Sequence, residues 1–219
     1  MVQKEKGPPP TTAEQQAATP KRRGRPRAYE PDVVLGKALD LFRRGGFAAT
    51  SLDDLSAVTG MNRPSLYGAF GDKRELYMKT YQRYRDEARA ATEDIFRTEQ
   101  PIRERLERIY AMALGIYLSG DDGPRGCFTV MTTGSEAIAD AEIRAMVQDA
   151  LSGADEAFAY CFRHAKEKGE LPDGADPAAL AQVASATLHS IAIRARARLP
   201  RKELEAIVKG AIDVMLGAK

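Results

Sequence analysis

The amino-acid sequence predicts an all-α chain of about nine helices: an N-terminal three-helix unit of helix-turn-helix type, then a larger helical body. Three observations lead there. From Glu30 onward apolar residues recur every three or four positions, and nowhere do they alternate with polar ones as in a strand. Glycine, proline and short acidic residues fall where helices start and stop. Two short helical segments flank Gly60 within the first eighty residues.

The elements follow in order. Val34, Leu35, Ala38, Leu41 and Phe42 make one face of a first helix, which Gly45-Gly46 stops. Ser51 with Asp54 three residues on reads as an acidic capping box opening a second helix, Leu52 to about Thr59. Gly60 turns the chain, and Pro64 in a first turn opens a third helix that runs to about Phe70. Asp72 caps a long fourth helix striped by Tyr77, Tyr81, Tyr84, Ala88, Ala91 and Ile95. Pro101 opens a fifth, with Ile102, Leu106, Ile109, Ala113 and Ile116 inward. Residues 120–126 are a loop, 127–138 a short apolar helix, and Ile143 to Ala165 a long seventh. After the loop 169–177, two helices over about 177–198 and 201–217 close the chain.

Composition bounds the function. The chain has 219 residues, 43% apolar and 29% charged, enough for a substantial core. Its 2 cysteines exclude a disulfide framework and a four-cysteine zinc site. No apolar run reaches the ~18 residues of a membrane span, and the first thirty residues hold no secretory signal. A cytoplasmic protein with no membrane partner is expected. Net charge is only +2, yet residues 1–80 carry 14 Lys and Arg against 9 Asp and Glu, and the remainder is acidic. That asymmetry suits a nucleic-acid-binding end on a neutral body.

The second helix, turn and third helix have the spacing at which the latter enters a DNA major groove. Its outward residues are Asn62, Arg63, Ser65, Tyr67, Gly68 and Ala69. Arg63 matches guanine O6 and N7, Ser65 and Tyr67 can donate to phosphate, and Gly68 permits close approach. Residues 38–76, and most specifically LYGAFGDKREL over 66–76, resemble the DNA-binding domain of TetR/AcrR-type transcriptional regulators. The resemblance implies a homodimer, a C-terminal ligand-binding domain and usually repression of a double-stranded DNA operator. It divides the chain into a basic arm (1–28), a DNA-binding domain (29–75) and a ligand-binding and dimerisation domain (76–219). It places Thr50 and Ser51 on phosphate, Arg63, Pro64 and Ser65 on base edges and sugar, and Tyr67 on phosphate. Lys73, at the start of the fourth helix, falls on phosphate too, where the helix dipole assists. Asp53 departs from what DNA favours and is read as a helix-capping charge with a solvated tip.

Residues 1–20 are poor in large apolar side chains and are expected to be disordered. Lys21, Arg22, Arg23, Arg25 and Arg27 follow, and Arg23-Gly24-Arg25-Pro26 resembles the core of an AT-hook, an extended Arg pair for a narrow minor groove. A merely solvated tail is the alternative.

In the body, Leu180, Val183, Ala184, Thr187, Leu188 and Ile191, with Leu204, Ile207, Val208, Ala211, Ile212 and Met215, are the expected dimer interface. The alternative is that both faces serve the monomer core; the resemblance favours the dimer. Tyr84, Tyr110, Met112, Tyr117, Phe128, Met131, Phe158 and Phe162 are candidates to line an effector pocket among helices four to seven. The effector itself is unknown. No cofactor, no metal site and no activated nucleophile is evident, so an enzyme is not expected. The alternative from another class is a redox- or metal-responsive regulator sensing through Cys127, Cys161 and His164.

Overall fold

The computed structural model describes residues 29–217; Arg23, Arg25 and the rest of the expected arm lie outside them. Ten helices and no strands are found among the described residues: α1 (Pro31–Ala49), α2 (Leu52–Thr59), α3 (Arg63–Phe70), α4 (Lys73–Arg97), α5 (Ile102–Tyr117), α6 (Phe128–Thr133), α7 (Glu136–Ala139), α8 (Ala141–Glu167), α9 (Pro177–Arg196) and α10 (Arg201–Leu216). The expected nine become ten because segment 127–138 breaks at Gly134-Ser135, where Ser135 is non-helical with φ −134° and ψ −80°.

The first three helices and the start of α4 form a head. Within α1 the helical path is interrupted at Gly46 (φ 80°, ψ 174°), a left-handed excursion that glycine makes without steric cost. The sequence signal at Gly45-Gly46 marks this break, although one more turn follows it. Thr50 then closes the segment by donating its hydroxyl to the Gly46 carbonyl at 2.7 Å. Gly60 (φ 73°) turns the chain from α2 into α3. Leu55 of α2 and Leu66 of α3 are buried, as are Ala38 and Phe42 of α1. Burying a side chain of this size stabilises by about 1.5–3 kcal/mol, so this small cluster fixes the angle at which α3 is presented.

α4 joins head to body. Three of its tyrosines reach along one face to α6: Tyr77 shares a hydrogen bond with Thr132 (2.7 Å), Tyr81 donates to Thr129 (3.3 Å) and Tyr84 to the Cys127 sulfur (3.5 Å). Their rings surround Phe128 at 5.1, 5.7 and 5.8 Å. A second joint runs from α1, where the buried Arg43 donates to the carbonyls of Ile116 (2.9 Å) and Gly126 (3.0 Å). α5, α8, α9 and α10 pack as the body. No helix among the described residues is long and apolar enough to cross a membrane.

Candidate nucleic-acid interface

Local chemistry positions the recognition unit. Ser51 accepts from the Asp54 backbone N–H (3.0 Å) while the Asp54 carboxylate accepts from the Ser51 N–H (2.9 Å), so the expected capping box is present. Asn62 caps α3 by accepting from the Ser65 N–H (2.9 Å), and Pro64 occupies the first turn, where no N–H is needed. Asp72 and Glu75 form a second reciprocal box at the start of α4. Each such cap contributes about 1 kcal/mol, and together they fix the starts of α2, α3 and α4, whose N-terminal ends carry the positive end of the helix dipole.

The start of α3 and its N-cap present an exposed face made of Asn62, Arg63, Pro64, Ser65, Tyr67 and Gly68. Tyr67 is 69% exposed, which no core role explains. Arg63 does not extend freely into solvent. Its Nε donates to Asp53 Oδ1 at 2.8 Å and its Nη2 lies 2.5 Å from Asp53 Oδ2, a forked pair. Hydrogen bonding and charge from Asp53 hold the guanidinium above its ordinary value. Asp53 stands in the first turn of α2 with an exposed side chain, as expected, and is in addition the partner of the cation expected to read bases.

Two expected phosphate contacts sit differently from their anticipated exposure. Thr50 is 3% exposed and its hydroxyl is committed to Gly46, so its side chain faces the fold, not a phosphate. Lys73 is half-buried, with its ammonium 4.2 Å from the centre of the Phe47 ring, and burial pushes it below its ordinary value. Ser51 remains exposed at the mouth of α2.

In the body, the expected pocket residues are mostly packed on one another. Tyr84, Tyr110, Tyr117, Phe128, Phe158 and Phe162 are buried, and the Tyr110 hydroxyl donates to the Ala184 carbonyl at 2.9 Å. Met112 is half-buried against the core. Two cavities stand out instead, one of about 460 Å³ between α5 and α10 and one of about 550 Å³ between α6 and α9; of the eight candidates, Met131 alone lines either. Sequence reasoning missed Arg196, which lines the second; its only signal was a long cation near the end of an apolar helix. The expected dimer residues divide between the protomer core and its surface. Ala184, Ile191, Leu204, Val208, Ile212 and Met215 are buried inside the protomer. Leu180, Thr187, Leu188, Ile207 and Ala211 are half-buried, and Val183 is exposed.

Both cysteines are free thiols. Cys161 is fully buried, and burial pushes its thiol up. His164 lies 3.7 Å from Glu99 and 3.5 Å from Glu167. No group of three or more His, Cys, Asp and Glu side chains able to hold a metal gathers among the described residues.

An all-helical body beneath an exposed, capped recognition helix defines a helix-turn-helix regulator of transcription. The chain belongs to the TetR family: residues 34–78 match the model of bacterial regulatory proteins of the tetR family, and residues 102–211 match the tetracyclin repressor-like C-terminal domain. It is 32% identical over 179 residues to the HTH-type transcriptional repressor ComR of Escherichia coli K12, covering 80% of this chain and 84% of ComR. Among solved structures it resembles a cysteine mutant of the TetR-family regulator CifR complexed with a 26-bp operator, with TM-score 0.77 and 28% identity over 88% of this chain and all of that one. It also resembles a putative TetR regulator from Rhodococcus sp. RHA1, with TM-score 0.58 and 32% identity over 85% of this chain and 99% of that one. The protein is thus a DNA-binding transcriptional regulator of a family that is not enzymatic.

Proposed function

We propose that the protein is a cytoplasmic repressor that binds a near-palindromic operator as a homodimer and is released by a small apolar or amphipathic effector. The observation that carries this reading is the face of α3, where Arg63, Pro64, Ser65 and Tyr67 are exposed together with no packing role. The likeness to CifR, solved on operator DNA, and to ComR, named a repressor, supports it. Arg63 reads a guanine, Ser51, Ser65 and Tyr67 meet backbone oxygens, and the basic residues Arg23 and Arg25 extend the contact into a neighbouring minor groove.

Two protomers bring two α3 helices to successive grooves ~34–36 Å apart. The face of α9 that serves this pairing carries Ala179, Val183, Ala186 and Ser190, spaced by fours and threes. All but the half-buried Ser190 are exposed in the protomer. An effector that displaces α4 through its tyrosine contacts changes the spacing of the two heads and so releases the operator.

A second reading is favoured by one observation. Cys127 lines the α6–α9 cavity with the Tyr84 hydroxyl 3.5 Å from its sulfur. Modification of that thiol by an oxidant would disturb the same joint. Sequencing the DNA that the purified protein retains, then titrating it against that fragment with and without oxidant, tests both. Salt-dependent, sequence-selective binding is expected. Binding that ignores sequence overturns the reading, and an oxidant response that persists in Cys127→Ser removes the thiol alternative.

A further inference from the structure

Four arginines meet where the head joins the body. Arg43 and Arg44 end the regular part of α1, Arg125 lies in the loop before α6, and Arg196 ends α9. Among the described residues Asp122 is the carboxylate that pairs with them, 2.8 Å from Arg44 and 3.8 Å from Arg125. Arg43 and Arg125 are 6% and 4% exposed, and the Nε of each is buried without a hydrogen-bond partner. Arg196 is held by backbone carbonyls, donating to those of Arg43 (2.9 Å), Arg125 (3.1 Å) and Arg44 (3.2 Å). Burial, then Arg125 and Arg43, push Arg196 below its ordinary value. The cluster is short of negative charge, and an anion beside it would relieve the repulsion.

Arg196 is also one wall of the cavity of about 550 Å³ between α6 and α9. The other walls include Val130 and Met131 of α6 and Ala192 and Ile193 of α9, all apolar. Small-molecule sites have this size, ~300–1,000 Å³, and this mixture of apolar walls with few polar groups. The α5–α10 cavity differs, because Arg103, Lys209 and Asp213 on its walls pair among themselves at 2.7 and 2.6 Å.

We propose that the α6–α9 cavity is the effector site and takes a small apolar molecule bearing one carboxylate, which the Arg196 guanidinium receives. This rests on the reading of the chain as an effector-controlled DNA-binding protein, and names the effector's chemistry. A single fork on an apolar wall matches a monoanion with an apolar body; a phosphate dianion needs a second cation on the wall. The carboxylate draws Arg196 from the carbonyls of Arg43 and Arg44, which belong to the head. The apolar body presses on α6, whose far side carries Thr129 and Thr132, the partners of Tyr81 and Tyr77. One ligand thus touches both joints between body and head.

Calorimetry of the full chain with octanoate and with 1-octanol tests this, in the wild type, Arg196→Gln and Gly134→Phe. Gly134 lines the cavity with φ −82°, and the nearest atom to an added Cβ is 3.9 Å away, so Phe fills the space without backbone strain. Octanoate should bind the wild type saturably, and at least tenfold more weakly to each variant. Octanol should bind the wild type at least tenfold more weakly than octanoate, and indifferently to Arg196→Gln. Octanoate should also lower wild-type affinity for the retained DNA fragment, and not that of Gly134→Phe. No octanoate binding, equal binding to all three proteins, or octanol binding as tight as octanoate overturns the site. Affinity for DNA without ligand is measured in parallel. If it is intact, such a failure removes this site alone; if the wild type binds no DNA, the underlying reading falls instead.

Discussion

Arg63 and Asp53 form a forked pair ten residues apart in sequence, at 2.8 and 2.5 Å, across the turn that separates α2 from α3. A free arginine samples many rotamers, whereas one gripped through Nε and Nη2 offers its remaining N–H groups in one direction. On the proposed docking the pair has two opposed consequences for DNA: the carboxylate repels phosphate, and it orients the cation proposed to read a base. Arg63→Ala should cut discrimination at one base pair per half-site roughly ten- to a hundredfold. Asp53→Asn should strengthen binding to every sequence while reducing that same discrimination, because the repulsion goes and the orientation goes with it. Titrations against operator and single-base variants at several salt concentrations separate the two effects. If Asp53→Asn keeps full discrimination, Asp53 does not position Arg63. The role of Asp53 was not legible in the sequence, since nothing in spacing reveals that the turn folds back to bring the two side chains together.

At the scale of elements, what was legible was local. The caps at Ser51 and Asp72 and the stop at Gly71 depend on residues within three positions of each other, and all stand where the sequence put them. What failed needed tertiary knowledge. A helix of period 3.6 carrying apolar residues on two sides does not say which side meets its own core, and on α9 and α10 half of the stripe taken for a partner is buried in the protomer. Asp140 gives an element-scale prediction. It caps α8 by accepting from the Glu142 (3.0 Å) and Ile143 (3.2 Å) N–H groups, and its carboxylate is gripped by Arg74 of α4. The Arg74 hydrogen bond, then the capping bonds, hold it well below its ordinary value of 3.8. A depressed carboxylate stabilises the fold above its unfolded value and loses that contribution as pH falls toward its folded value. Asp140→Asn keeps a capping acceptor and removes the charge. The difference in melting temperature between wild type and variant should be constant from neutrality to about pH 5 and close below about pH 4. A gap that widens on acidification contradicts the pairing of α4 with α8.

For the whole molecule, the proposed function depends on two heads held at one spacing, and the α9 stripe proposed for their pairing differs from the stripe that builds the core by a rotation of the same helix. The two are separable by experiment. Val183 is 46% exposed and Ala186 is exposed, whereas Ile191, a turn or two along, is fully buried. A carboxylate placed on the exposed pair is solvated in the lone protomer and meets its own image across a twofold axis in the dimer, where like charges repel and lose water. Val183→Glu with Ala186→Glu should therefore give a chain with unchanged helical circular dichroism that sediments as a monomer. Its affinity for the full operator should fall toward that for an isolated half-site, since linkage of two heads is what raises the effective concentration of the second contact. Ile191→Glu should act otherwise, because an unpaired charge in the core destabilises the protomer itself. Its signature is loss of helicity or a lowered melting temperature, before any change in assembly. A double Glu variant that still sediments as a dimer places the interface elsewhere on the body, and an Ile191→Glu chain that is folded and monomeric returns the interface to the inner stripe.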